Sequence, residues 1–63
     1  MENRIKYFRE QQGLTLLKLA QITNISIGYL SHLENGGRNN PSFTIMSKIS
    51  TALNKNITDI FLN

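Results

Sequence analysis

The 63-residue sequence predicts an all-α fold, a compact bundle of five short helices, and three observations carry that reading. Residues that stop or bend helices recur at short intervals. Gly13, Asn24, Gly36-Gly37 and Asn54 each follow a segment with helical spacing, and Pro41 stands inside the longest break. No segment sustains the apolar/polar alternation of a strand. Hydrophobic residues make up 40% of the chain and charged residues 17%, a balance that suits a folded globule better than a disordered tail. With no repeat, low-complexity tract or linker, residues 1–63 are expected to form one domain.

The first helix is expected from about Glu2 to Gln12, with Ile5 and Phe8 inward and Gly13 as its stop. Thr15 is placed to cap the second, Leu16 to about Thr23, whose Leu19 and Ala20 face the core. Lys18 stands where a capping box would carry Glu or Gln, so half of that box is present. Asn24, short, polar and tolerant of positive φ, turns the chain. Ser26 caps the third helix, Ile27 to about Asn35, and Gly36 ends it. Ser42, after Pro41, caps the fourth, Phe43 to Leu53, with Met46, Ile49 and Leu53 at inward spacing. Asn56 caps a last turn, Ile57 to Phe61. Ile60, Phe61 and Leu62 read as core closure first and dimer contact second.

Composition narrows the function. The chain has no cysteine, which removes disulfides, thiolate metal sites and thiol catalysis. Its one histidine, His32, excludes a multi-histidine zinc site and has no placed base or carboxylate to make it catalytic. No metal, cofactor or enzymatic step is therefore expected. A domain of this size buries only about 60% of its unfolded surface, so close helix packing, self-association or both must hold it together. Seven Lys and Arg face four Asp and Glu, a formal charge of +3 that favours a polyanionic partner. The start, Met1 to Lys6, has no apolar signal region, and no apolar run approaches the roughly 20 residues of a membrane span. A cytoplasmic protein without a membrane partner is expected.

The second and third helices are joined by Thr23-Asn24-Ile25, and a connection that short sets two helices at a steep angle, in helix-turn-helix geometry. On the later helix, Leu30, Leu33 and Glu34 point to one side. Ile27, Gly28, Ser31, His32 and Asn35 fall on an arc of about 140° on the other. That outer arc carries no negative charge, so it can lie against a duplex groove without repulsion.

Arg4-Ile5-Lys6-Tyr7-Phe8-Arg9-Glu10, Gly13-Leu14-Thr15, Leu19-Ala20, Ile25-Ser26, Tyr29-Leu30-Ser31, Leu33-Glu34-Asn35-Gly36, Pro41-Ser42 and Asp59-Ile60-Phe61 cover nearly the whole chain in order. This pattern resembles the phage-repressor (Cro/XRE-type) helix-turn-helix family. The resemblance implies a lambda-repressor-like five-helix domain that binds operator DNA, usually as a dimer, with its third helix in the major groove. It implies base-edge roles for Ile27, Gly28, Ser31 and His32. It implies phosphate contacts for Thr15, Leu16, Lys18 and Ser26, and for Asn35, Gly37, Arg38 and Asn39 after the third helix. Arg9 and Glu34 match a family ion pair that ties the first helix to the end of the third, the alternative being two separately solvated charges. The chain departs from the family at Leu16, where Gln is usual, and at Leu17, where a polar residue is usual. Ile27 and Gly28 offer no side-chain hydrogen bonds, only a thymine-methyl contact and close backbone approach, which shifts discrimination toward Ser31, His32 and DNA shape.

The expected function is that of a prokaryotic or phage-type regulator of transcription, a repressor, binding a pseudo-palindromic double-stranded operator as a homodimer without a small-molecule ligand. The alternative is a protein-interaction module on the same scaffold, an anti-repressor or antitoxin-like partner, for which the apolar Leu16, Leu17, Ile27 and Gly28 speak.

Overall fold

Three helices open on a hydroxyl that takes up a backbone N–H left over in the first turn, the usual remedy for a helix start. Thr15 Oγ1 accepts from the Lys18 N–H at 3.0 Å, Ser26 Oγ from Tyr29 at 3.1 Å and Ser42 Oγ from Ile45 at 3.2 Å. The computed structural model describes residues 2–37 and 40–62, and in it these caps set the starts of α2 (Leu16–Thr23), α3 (Ile27–Glu34) and α4 (Phe43–Leu53). They follow α1 (Ile5–Gln11) and precede α5 (Ile57–Ile60), whose first turn is closed by the Asn56 N–H donating to Asp59 Oδ2 at 2.9 Å. Asn24 and Asn54, both at φ 57°, take the left-handed conformation that ends α2 and α4.

The five expected helices are all present, and two short strands join the ends of the described chain. β1 (Glu2–Asn3) pairs antiparallel with β2 (Phe61–Leu62), Glu2 opposite Leu62 and Asn3 opposite Phe61. The first helix therefore starts at Ile5 rather than Glu2, and the last turn stops at Ile60 because Phe61 is extended, at φ −104° and ψ 108°. A strand of two residues is too short for alternation to reveal it. The Arg4 N–H extends the ribbon by donating to the Ile60 carbonyl at 2.7 Å.

Every helix contributes to one core. Ile5, Leu19, Leu30, Leu33, Ile49, Leu53 and Ile60 are fully buried, with Ala20, Ile25 and Phe61 around them. Phe61 and Ile60 close the core, as their sequence position suggested. Leu16 packs half-buried against it, whereas Leu17 is 56% exposed. α2 packs against both α3 and α4, and α4 also holds α1 and α5.

Arg9 of α1 crosses to the end of α3. Its Nε donates to Glu34 Oε2 at 2.6 Å and its Nη2 to Glu34 Oε1 at 3.1 Å, while Nη1 donates to the Leu14 carbonyl at 2.8 Å. The side chains are only 11% and 6% exposed. Hydrogen bonding to Glu34, and then its negative charge, raise the Arg9 pKa against the opposing effect of burial. Glu34→Gln would leave the guanidinium without a counter-charge, a loss of about 3 kcal/mol for a buried pair. Since 1 kcal/mol is worth about 4–8 °C in a domain this small, the melting temperature should drop by more than about 10 °C in a thermal scan. A drop under about 2 °C would show the pair to be energetically idle.

Candidate nucleic-acid interface

The hydrophobic side of α3 fixes which side faces out. Leu30 and Leu33 are buried, and just before the helix Ile25 is buried in the turn. The turn itself is held by Thr23, whose hydroxyl donates to the Leu19 carbonyl at 2.8 Å and accepts from the Ile25 N–H at 3.3 Å. With α2 and the turn locked, Ile27, Gly28, His32 and Asn35 are exposed and Ser31 is half-buried at the edge of the same side. Being an apolar side chain 46% open to solvent, Ile27 contributes contact area rather than packing.

Ser26, Gly28, Tyr29 and His32 line an open hollow of about 290 Å³ on this outer side. Gly28 forms part of its wall. A Cβ built there would meet nothing within 4 Å, so the protein's own packing does not require glycine, although glycine is the poorer helix former. Gly37 is the opposite case. Its N–H donates to the His32 carbonyl at 2.7 Å, and a Cβ there would come within 3.1 Å of His32 Nδ1. Gly37 thus makes room for the imidazole and closes the chain behind α3. The sequence marks Gly36-Gly37 as a helix stop, and the room that Gly37 makes for the His32 ring is what the structure adds.

At the start of α2, the Thr15 hydroxyl is occupied by its own cap and the Leu16 side chain leans on the core, while Lys18 is exposed. Leu16 therefore has only its backbone N–H to offer an anion, in keeping with a helix start. Ser26 is likewise a cap, bonded to Tyr29, and remains exposed. Arg38 and Asn39 lie outside the described residues. Two residues without a role in the sequence analysis also stand out: Phe43, 70% exposed at the start of α4, and Asn3, whose side chain reaches α3.

Charge follows the same layout. Between Gln11 and Thr58 the sequence holds a single carboxylate, Glu34, against Lys18, Arg38, Lys48 and Lys55. Glu34 is the one that Arg9 neutralises. Helices α2 to α4 therefore present no unpaired acidic group to a polyanion.

Two helices meeting at a left-handed turn, the second turning a side without a carboxylate to solvent, define a helix-turn-helix protein. The chain belongs to that family in its Cro/XRE-type form, the helix-turn-helix profile matching residues 5–60. It is similar to the HTH-type transcriptional regulator SlrR of Bacillus subtilis, 33% identical over 57 residues, which cover 90% of this chain and 38% of SlrR. It superposes on the N-terminal DNA-binding domain of SinR from Bacillus subtilis with a TM-score of 0.82 and 33% identity, over 86% of this chain and 78% of that one. The restriction-modification controller protein C.AhdI of Aeromonas hydrophila matches with a TM-score of 0.83 and 28% identity, over 89% and 83% of the two chains. The chain spans less than half the length of the full SlrR and SinR proteins, 38% and 49%.

The open space at Gly28 has a direct consequence for stability. Gly28→Ala should stabilise the free protein by about 0.5 kcal/mol, by restricting the unfolded chain without a clash. That corresponds to a rise of about 2–4 °C in a thermal melt. A lower melting temperature would mean that the hollow is already needed by the protein itself.

Proposed function

We propose that this chain is a sequence-specific, double-stranded DNA-binding regulator of transcription, a repressor, which lays α3 in the major groove. The observation that carries the reading is the outer side of α3: Ile27, Gly28 and His32 are exposed with half-buried Ser31 at their edge, and the one carboxylate of the helix, Glu34, is paired with Arg9. A groove about 12 Å wide admits one helix, and only a surface without negative charge can approach the phosphates that flank it. In this reading Ser31 and His32 supply hydrogen bonds to base edges, Ile27 meets a thymine methyl, and Gly28 lets the backbone come close. Lys18, Arg38, Asn35 and Asn39, with the backbone at Thr15, Leu16, Ser26 and Gly37, hold the phosphates and so set the register.

One helix of eight residues makes few base contacts, so the reading includes a homodimer on a pseudo-palindromic operator, its two recognition helices about 34–36 Å apart. It includes no cofactor, no small-molecule ligand and no catalytic step, and it places the protein in the cytoplasm with the DNA. Membership of the helix-turn-helix family favours this function over a protein-interaction module on the same scaffold.

Selection of bound sites from random duplexes should return a two-fold motif with half-sites about one helical turn apart. Binding to that motif should weaken steeply with salt, log K falling by about 0.9 per neutralised phosphate for each decade. Lys18→Ala should weaken all sequences alike and flatten the slope by about 1 per subunit, whereas His32→Ala should relax preference at one base position by about 1–3 kcal/mol. Enrichment of no sequence, or affinity indifferent to salt, would refute the assignment.

A further inference from the structure

We propose that Asn3 is a positioning residue for α3, its single carboxamide joining the terminal ribbon to the last turn of the recognition helix. The inference rests on the reading of α3 as the DNA-contacting element. Asn3 sits in β1 opposite Phe61, whose side chain is buried in the core. Its Oδ1 accepts from the Ile5 N–H at 3.2 Å, supplying the cap that Arg4, at the entry to α1, does not provide. Its Nδ2 crosses the molecule and donates to the Leu33 carbonyl at 2.9 Å. One side chain therefore meets three elements: β1 carries it, α1 is capped by it, and α3 is held by it.

Its grip on α3 differs in kind from that of Arg9. Arg9 holds α3 by a side chain, the Glu34 carboxylate, which has its own rotatable bonds. Asn3 holds the backbone of the preceding residue. Carbonyls in the last turn have no partner further along the helix. The local donors to Leu33 are the Gly36 N–H, at a longer 3.3 Å, and the Asn35 N–H, which is shared with the Ser31 carbonyl. The carboxamide is thus the better-placed partner of that carbonyl, and it is rigidly sited because the ribbon behind it is closed by the Arg4 N–H to Ile60 bond at 2.7 Å. The arrangement makes ribbon pairing and the pose of α3 a single structural event. Base-edge hydrogen bonds demand a set pose, while long cationic side chains on phosphates tolerate a small tilt. Losing Asn3 should therefore injure discrimination before it injures general affinity.

The tests begin without DNA. In the wild-type protein, a through-hydrogen-bond NMR coupling should link Asn3 Nδ2 to the Leu33 carbonyl carbon, and the side-chain amide protons should exchange slowly. A coupling of zero with fast exchange overturns the proposal. Asn3→Ser keeps a short acceptor for the Ile5 N–H but cannot span to Leu33, and Asn3→Asp keeps the shape but loses the donor. Residual dipolar couplings should show the α3 axis turned relative to α4 in both variants; an unchanged axis means that Asn3 only caps α1 and ends the idea. On the selected duplex, Asn3→Ser should bind about tenfold more weakly, the size of one lost base contact. Its binding to random duplex should stay within about twofold, and Thr58→Ala, an exposed change on α5, should alter neither value. An equal loss on both duplexes would also overturn the proposal. If the wild-type protein selects no sequence, the DNA-reading assignment fails while the coupling and axis measurements still decide the role of Asn3.

Discussion

The Arg9 fork is the constraint on which the rest of the molecule depends. Two of its nitrogens grip Glu34 and the third holds the Leu14 carbonyl, so one side chain on α1 fixes the loop leading into α2 and the end of α3. A planar guanidinium suits this task because its donors sit in a rigid fork, and a lysine in its place could not serve both directions with one geometry. Buried ion pairs contribute little net stability once desolvation is counted, and a well-packed apolar pair often does as well. What the pair gives here is a defined angle. An apolar contact between α1 and α3 would bury similar area while allowing the two helices to slide.

The same contact shapes the electrostatics of the outer surface. Glu34 lies at the end of α3 and is the lone carboxylate between Gln11 and Thr58. Left free, it would repel phosphates at close range, where low-dielectric surroundings make the effect strong. Folded against Arg9, it is 6% exposed and neutralised. Orientation and charge complementarity are thus two consequences of one bond, and the Asn3 carboxamide on the adjacent Leu33 carbonyl adds a neutral tie at the same end.

Much of this was legible in the sequence because the caps and stops are local. Thr15, Ser26 and Ser42 each bond an N–H three residues ahead, and Asn24 and Asn54 adopt the left-handed turn with no help from distant residues. The core was legible for the same reason, since helical spacing alone sends Leu19, Leu30, Leu33, Ile49 and Leu53 inward. What could not be read were contacts across the chain. The ribbon joins residues at opposite ends and is too short for any pattern. Asn3, near the first helix, looks like an ordinary polar residue until the fold brings Leu33 beside it. Gly37 has a stated purpose only once the His32 ring is seen against it. On the outer side of α3, periodicity predicts the outward arc but not the hollow lined by Ser26, Gly28, Tyr29 and His32.

A helix of eight residues is far below the length at which an isolated helix persists in water. The outer side of α3 therefore has no existence apart from the core beneath it, and its glycine makes it weaker still. This separates the two ends of the helix in physical terms. The N-terminal end is fastened by local means, the Ser26 cap and the Thr23 turn, which survive most distant changes. The C-terminal end is fastened by Arg9 and Asn3 from residues more than twenty positions away, and those contacts require the whole fold. Loosening the core should consequently let α3 swing about its beginning, so that Ile27 and Gly28 keep their place while Ser31 and His32 lose theirs. In the proposed DNA-reading role, the side chains that would hydrogen-bond a base edge are the ones at the swinging end, which would make discrimination the property most sensitive to the packing of the rest of the chain.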